Sequence, residues 1–225
     1  MKYSLHPKEL SGWKARITER LIQCYIEDVL ISVLRKQGWD DAIYDCVTWL
    51  APKFPWMREA KLEYQFFIAN GLFPTPEFLK KFEKLTDLLE NAPDGFLIKL
   101  KKTGKFRRLK EAFNALSSWR VEGLERGIEE QKCRLRANKD EQLPIVNGEI
   151  EVIEVKSGKS NLPPHQKRSY RNIIQEGYGF RFFHVNIISF VRNEFEIREK
   201  LLTNPSELKS FPLKNVKSLN VDNVL

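Results

Sequence analysis

The segment 149–156 constrains this chain most strongly. Along this one predicted strand, the face that begins apolar ends charged, and the face that begins acidic ends apolar. Side chains of a strand alternate between faces, so Ile150, Val152, Glu154 and Lys156 share one face. A carboxylate and an ammonium group therefore follow two aliphatic residues on a face that is at least half buried. Such charges are costly unless they are paired or bind a metal. The structural alternative is a cross-strand ion pair at the end of a sheet.

The residues around this segment predict a mixed α/β region. Asn-Gly suits a tight hairpin turn, so Asn147-Gly148 is predicted to join a strand over 143–146 to the strand over 149–156. A helix over 164–176, stopped by Gly177, and a buried strand over 180–188 complete the region.

Helical spacing dominates the first half of the chain. Apolar residues predict one long helix over 16–37, stopped by Gly38. The segment 47–128 reads as largely helical, with one helix over 78–89 and another over 106–116. The pattern after residue 200 has no clear period and predicts a loosely held tail. Prolines, interpreted as helix breakers, divide the segment 47–128 at Pro52, Pro55, Pro74, Pro76 and Pro93.

Composition excludes several classes of protein. The 225 residues are 42% hydrophobic, typical of a globular protein, and no apolar run approaches the ~18 residues of a membrane span. The first residues are too polar for a signal peptide. Three cysteines without a C-x-x-C pair argue against a disulfide framework or a zinc knuckle, and favour an intracellular protein.

The net charge of +8 is concentrated in one twelve-residue stretch without an acid. Without its seven cations, 31 basic residues remain against 30 acidic ones. A local polyanion contact explains this distribution better than a generally basic protein does, and DNA is the expected partner. We call the seven residues the basic cluster: Lys99, Lys101, Lys102, Lys105, Arg107, Arg108 and Lys110.

A spaced series of residues around Glu154 resembles the PD-(D/E)xK nuclease superfamily, and within it the VRR-NUC branch that includes the Fanconi-associated nuclease. The series reads Ile153-Glu154-Val155-Lys156, Asn161-Leu162, Gln166 at the start of a helix, Gly177 and His184-Val185. The resemblance implies a restriction-endonuclease-like core, a central mixed sheet flanked by helices, here with a largely helical insertion.

The resemblance also implies a set of metal ligands for Mg²⁺ or Mn²⁺. Glu154 and an acid on the preceding strand would bind the metal; we choose Asp140, with Glu141 as the alternative. The Val155 carbonyl would be a further ligand. An acid on the first helix would complete the set; we choose Glu27, with Glu122 as the alternative.

Other side chains would act on water or on DNA. Lys156 would orient or deprotonate the attacking water, and Gln166 would brace the lysine or the water. Near the site, four further cations would extend the contact of the basic cluster with DNA phosphates: Lys159, Lys167, Arg168 and Arg171.

We therefore expect a metal-dependent DNA endonuclease, and the resemblance implies that its substrate is branched DNA, either flaps or Holliday junctions. One alternative is a catalytically decayed nucleic-acid-binding protein, and another is a restriction-type or mobile-element endonuclease on the same core. A homodimer is possible for such a core, and no membrane association is expected. The predicted division is 1–46 for the first helix of the core, 47–128 for the insertion with the basic cluster, 129–199 for the rest of the core and 200–225 for the tail.

Overall fold

The computed structural model describes residues 7–45, 62–90, 93–111, 140–157, 162–189, 194–210 and 218–220. Their elements follow in the order α1 (Pro7–Tyr25), a π-helical turn (Ile26–Leu30), α2 (Ile31–Lys36), β1 (Asp41–Asp45), α3 (Leu62–Ala69), β2 (Phe73–Pro74), α4 (Pro76–Leu88), β3 (Gly95–Arg108), β4 (Gln142–Ser157), α5 (Pro164–Gln175), β5 (Gly179–Ser189), β6 (Glu194–Leu202), a 3₁₀ helix (Pro205–Ser210) and β7 (Ser218–Asn220).

The strands form one mixed sheet between two helical layers. Six of the seven strands run in the order β1-β3-β4-β5-β6-β7, and β2 pairs with β4. The pairs β4–β5 and β2–β4 are parallel, and the other pairs are antiparallel. The expected α/β class with a mixed sheet flanked by helices is confirmed. No helix in the described part of the chain is long and apolar enough to cross a membrane.

Each face of the sheet packs on its own helices, as the alternation of strand side chains requires. On one face, Phe96, Ile98, Val152 and Phe180 join apolar side chains of α3, α4 and α5. On the other face, Leu97, Ile153 and Phe183 pack against the apolar stripe of the first helix, which includes Ile22 and Ile26.

Buried charges on the face that packs on the first helix neutralise one another across neighbouring strands. Glu151 on β4 contacts Lys99 of β3 at 2.8 Å and Arg181 of β5 at 2.6 Å. Arg181 also contacts Glu199 of β6. Burial alone would raise the pKa of Glu151, but Arg181 and Lys99 outweigh burial and lower it. Burial would likewise lower the pKa of Lys99, but its bonds to Glu149 and Glu151 raise it.

Several predicted elements are confirmed. The long helix over 16–37 is present, begins earlier at Pro7, and contains the π-helical turn over Ile26–Leu30. Gly38 and Gly177 have positive φ values of 91° and 86°, as their predicted role as helix stops requires. The predicted helices over 78–89 and 164–176 correspond to α4 and α5, and the predicted strand over 180–188 corresponds to β5.

The predicted hairpin at Asn147-Gly148 is wrong. The chain passes straight through both residues, because β4 is a single strand of 16 residues. Gly148 is needed for close packing: an added Cβ would lie 2.0 Å from the Lys99 carbonyl oxygen and 2.9 Å from Phe78 Cζ. The antiparallel partner of the segment 149–153 is therefore β3.

The predicted helix over 106–116 and the loose tail also need correction. Phe106, Arg107 and Arg108 belong to strand β3, so this part of the predicted helical insertion lies in the central sheet. Residues 112–139 lie outside the described part of the chain, and Phe113 and Leu116 with them. Lys200 to Leu202 complete β6, and Leu208 of the following 3₁₀ helix is 1% exposed and packs in the core.

Candidate active site

The carboxyl end of β4 carries a buried acid held between two donors. Glu154 is 1% exposed on the face that packs against α5. Its Oε1 accepts a hydrogen bond from Lys156 Nζ, and its Oε2 accepts one from the Tyr170 hydroxyl. Tyr170, itself buried on α5, stacks on Phe180 with ring centroids 4.3 Å apart. The predicted pairing of Glu154 with Lys156 on one face is therefore present, and Tyr170 is a partner that sequence reasoning missed.

A second acid, Asp94, lies beside Glu154 at the start of β3. Its backbone N–H donates to the Ile153 carbonyl at 3.1 Å, and its Oδ2 accepts a hydrogen bond from the Val155 N–H at 2.6 Å. Sequence reasoning missed Asp94 because Pro93 was interpreted only as a helix breaker. The available signal was the dipeptide Pro93-Asp94 before an apolar run, which matches the letters PD of the superfamily pattern.

The structure does not bring Asp140 to this site. Asp140 is exposed and precedes the opposite end of β4, and Glu141 follows it there. At ~3.3 Å per residue, the strand from Gln142 to Glu154 spans about 40 Å. The choice of Asp140 depended on the hairpin at Asn147-Gly148, which would have folded the two ends together.

On the first helix, Glu19 lies close enough to Asp94 to be affected by its charge. Partial burial and the charge of Asp94 raise the pKa of Glu19, against the effect of Arg16. The predicted acid, Glu27, is exposed in the π-helical turn and accepts a hydrogen bond from Gln23 Nε2 at 2.8 Å. Glu27 is therefore not among the acids at Glu154. The alternative, Glu122, lies outside the described residues.

Helix α5 lines the other side of Glu154. Gln166 lies one helical turn before Tyr170 and therefore on the same face. Its Oε1 is buried and, in the described part of the chain, accepts no hydrogen bond. A buried acceptor without a donor is costly and fits a site that binds water or a ligand. Lys167, Arg168 and Arg171 lie on the same helix, and Lys159 lies outside the described residues.

Burial raises the pKa of both site carboxyls. The pKa of Glu154 is raised by burial and by the charge of Asp94, and Lys156 and Tyr170 only partly offset this. The pKa of Asp94 is raised by burial, partly offset by its hydrogen bond from Val155 and by Lys156. A cation bound between two such carboxyls would stabilise their ionised forms.

The donors that fit a hard divalent cation are therefore the oxygens of Asp94 and Glu154, with Gln166 placed to hold a water. Mg²⁺ binds through one or two carboxylates and keeps several waters, so two protein carboxylates suffice for it. Within the residues that the structure describes, no three His, Cys, Asp or Glu side chains form a group that could hold a metal ion. Glu19 therefore does not complete such a group in this conformation.

The basic cluster lies on β3 and is not uniform. Lys99 is 8% exposed, and its Nζ contacts Glu149 Oε2 at 2.7 Å and Glu151 Oε1 at 2.8 Å. Its charge is used inside the protein, so its predicted role in DNA binding is wrong. The other six members, from Lys101 to Lys110, are exposed.

Comparison with known proteins adds no relative: no family model, curated protein or solved structure matches the chain.

Proposed function

We propose that this chain is a metal-dependent DNA endonuclease of the PD-(D/E)xK type. The observation that carries the proposal is the meeting of Asp94 and Glu154 at two adjacent strand ends, with Lys156 bonded to Glu154. Pro93-Asp94 and Glu154-Val155-Lys156 together reproduce the letters of the superfamily pattern, and the fold supplies the expected mixed sheet.

The proposed mechanism assigns each side chain a separate task. Asp94 and Glu154 would hold Mg²⁺ or Mn²⁺, which would activate the attacking water and offset charge on the phosphate. Water would attack phosphorus and lose its proton to solvent, and the bond to the leaving sugar oxygen would break as that oxygen takes a proton from solvent. Lys156, which donates to Glu154, would orient the attacking water and offset negative charge.

Branched DNA is the proposed substrate, either a flap or a four-way junction. The test is cleavage of a labelled flap, a four-way junction and a linear duplex by the full chain, with Mg²⁺, Mn²⁺ or EDTA. We expect metal-dependent cuts that Lys156→Ala reduces by about 10²–10⁴-fold. Lys80→Ala, at an exposed position on α4, is the matched control and should cut like the unmodified protein. Preference for the linear duplex would favour the restriction-type alternative.

A non-catalytic nucleic-acid-binding protein is the second candidate. It is favoured by the two protein donors that already occupy the oxygens of Glu154. DNA binding without any metal-dependent cleavage would select this candidate and reject the enzyme.

A further inference from the structure

The second half of β3 forms an exposed edge along the first half of β4, whose other edge pairs with β2 at Ile145 and Val146. Residues 101–108 are all exposed and pair with residues 142–147. The neighbouring strand β1 ends its pairing at Leu100, so in the described part of the chain no strand pairs with the outer edge of 101–108. We call residues 101–108 with 142–147 the basic ribbon.

Cations of the basic ribbon differ from Lys99 in what lies opposite them. Lys99 is opposite Glu149, with which it forms an ion pair. In contrast, every paired residue opposite the ribbon cations is uncharged. Lys101 lies opposite Asn147, Lys102 opposite Val146, Arg107 opposite Leu143 and Arg108 opposite Gln142. The ribbon therefore presents positive charge that its partner strand leaves uncompensated.

The edge formed by residues 101–108 suits contact with the phosphates of a duplex better than the addition of another strand. The pairing register shifts between Lys102 and Phe106, and Gly104 adopts a φ of 74° within the bulge. A bulge twists an edge and discourages further strand pairing. Exposed cations along such an edge can contact the phosphates of a duplex, which positions the duplex without reading its sequence.

The ribbon lies at a fixed distance from the site because both belong to β4. Along that strand, Asn147 is seven residues from Glu154 and Leu143 is eleven residues away. At ~3.3 Å per residue, these separations are about 23 Å and 36 Å. A duplex that rises ~3.4 Å per base pair covers them in about 7 and 11 base pairs.

We propose that the basic ribbon holds a duplex DNA arm about 7 to 11 base pairs from the phosphodiester that lies at Glu154. This inference rests on the proposed function for the identity of that phosphodiester. The substrate is then a DNA with at least one duplex arm of about one helical turn beside the cut.

The test compares two triple variants of the full chain with equal net charge. The ribbon variant is Lys102→Gln with Lys105→Gln and Arg108→Gln, all at exposed positions. The control variant is Lys36→Gln with Lys80→Gln and Lys84→Gln, exposed on α2 and α4. Binding is measured by fluorescence anisotropy in metal-free buffer, on duplexes of about 6, 9, 12 and 18 base pairs and over about 50–200 mM salt.

Three lost phosphate contacts should lower the slope of log affinity against log salt by about 2.7. Over a fourfold rise in salt, the unmodified protein should therefore lose about 40-fold more affinity than the ribbon variant. This difference in salt slope between the unmodified protein and the ribbon variant should be present with the two longest duplexes and absent with the shortest. The control variant should behave like the unmodified protein.

Equal salt slopes for the ribbon variant and the unmodified protein would overturn the inference, and so would a difference that is independent of duplex length. Because these measurements involve no cleavage, the two proposals fail separately. A protein that cuts no DNA but shows the expected slopes loses the proposed enzyme and keeps the ribbon as a duplex-binding element.

Discussion

Asp94 accepts a hydrogen bond from the backbone N–H of Val155 at 2.6 Å, and this bond ties the start of β3 to the strand end that carries Glu154 and Lys156. The bond fixes one oxygen of Asp94 and leaves the other available. It also places Asp94 beside Glu154, where burial raises the pKa of both acids and the charge of Asp94 raises that of Glu154 further.

The two candidates for the strand acid can be separated by matched substitutions. Asp94→Asn should lower the rate of the proposed metal-dependent DNA cleavage by at least about 10²-fold, because it removes one of the two carboxylates proposed to hold the metal. Asp140→Asn, at the far end of β4, should cut within about twofold of the unmodified protein. The measurement is the single-turnover rate on a labelled flap. A lower cleavage rate for Asp140→Asn than for Asp94→Asn would identify Asp140 as the strand acid.

A second matched pair concerns the first helix. Glu19→Gln should reduce cleavage by about tenfold or more, since the carboxylate of Glu19 is close enough to Asp94 to raise its own pKa. Glu27→Gln should leave the rate unchanged, because the Glu27 side chain is exposed. Within the described part of the chain it is hydrogen-bonded to Gln23. Rates over a range of Mn²⁺ concentrations would show whether Glu19 acts on metal affinity. Equal rates for both variants would remove Glu19 from the site.

Asp94→Asn should also stabilise the protein without metal, in a pH-dependent way. Because folding raises the pKa of Asp94 above its usual 3.8, the unmodified protein loses stability as pH rises through the raised value. The variant avoids this loss, and its amide oxygen can still accept the bond from Val155. At pH 7 we expect a gain of about 1 kcal/mol, or about 2–4 °C in Tm.

Thermal melts from pH 4 to pH 8 in EDTA provide the check. The advantage of the variant should be smallest at pH 4 and grow toward neutral pH. If the variant is less stable than the unmodified protein at pH 7, the ionised Asp94 carboxylate does not destabilise the folded protein.

The straight path of β4 through Asn147 and Gly148 gives a stability prediction. Asn147→Val should keep or slightly raise Tm, because a strand position accepts a β-branched residue whereas an Asn-Gly turn with positive φ does not. Gly148→Ala should cost about 1–3 kcal/mol, because the added Cβ meets the Lys99 carbonyl and Phe78. Thermal melts of both variants decide the matter. A large decrease in Tm for Asn147→Val would indicate that Asn147 and Gly148 form a turn.

Local patterns predicted the parts of the site that lie close together in sequence. Alternation placed Glu154 and Lys156 on one face, and spacing placed Gln166 on the helix that covers it. Asp94 lies 60 residues before Glu154, so its placement depended on knowing which strand pairs with β4. The strong turn tendency of Asn-Gly suggested the wrong pairing. In the observed pairing Gly148 packs closely against Lys99 of β3, and that contact has no local signal in the sequence.

The buried contacts of Glu151 with Lys99 and Arg181 have a consequence for assembly of the sheet. A slip of β4 by one residue would turn Glu151 to the opposite face and separate it from both cations. Breaking a buried ion pair in this way costs about 3–5 kcal/mol. The same slip would turn Glu154 away from Tyr170. The register that pairs these buried charges is therefore also the register that places Glu154 at Tyr170. Molecules with β4 out of register lose both sets of contacts and are less stable.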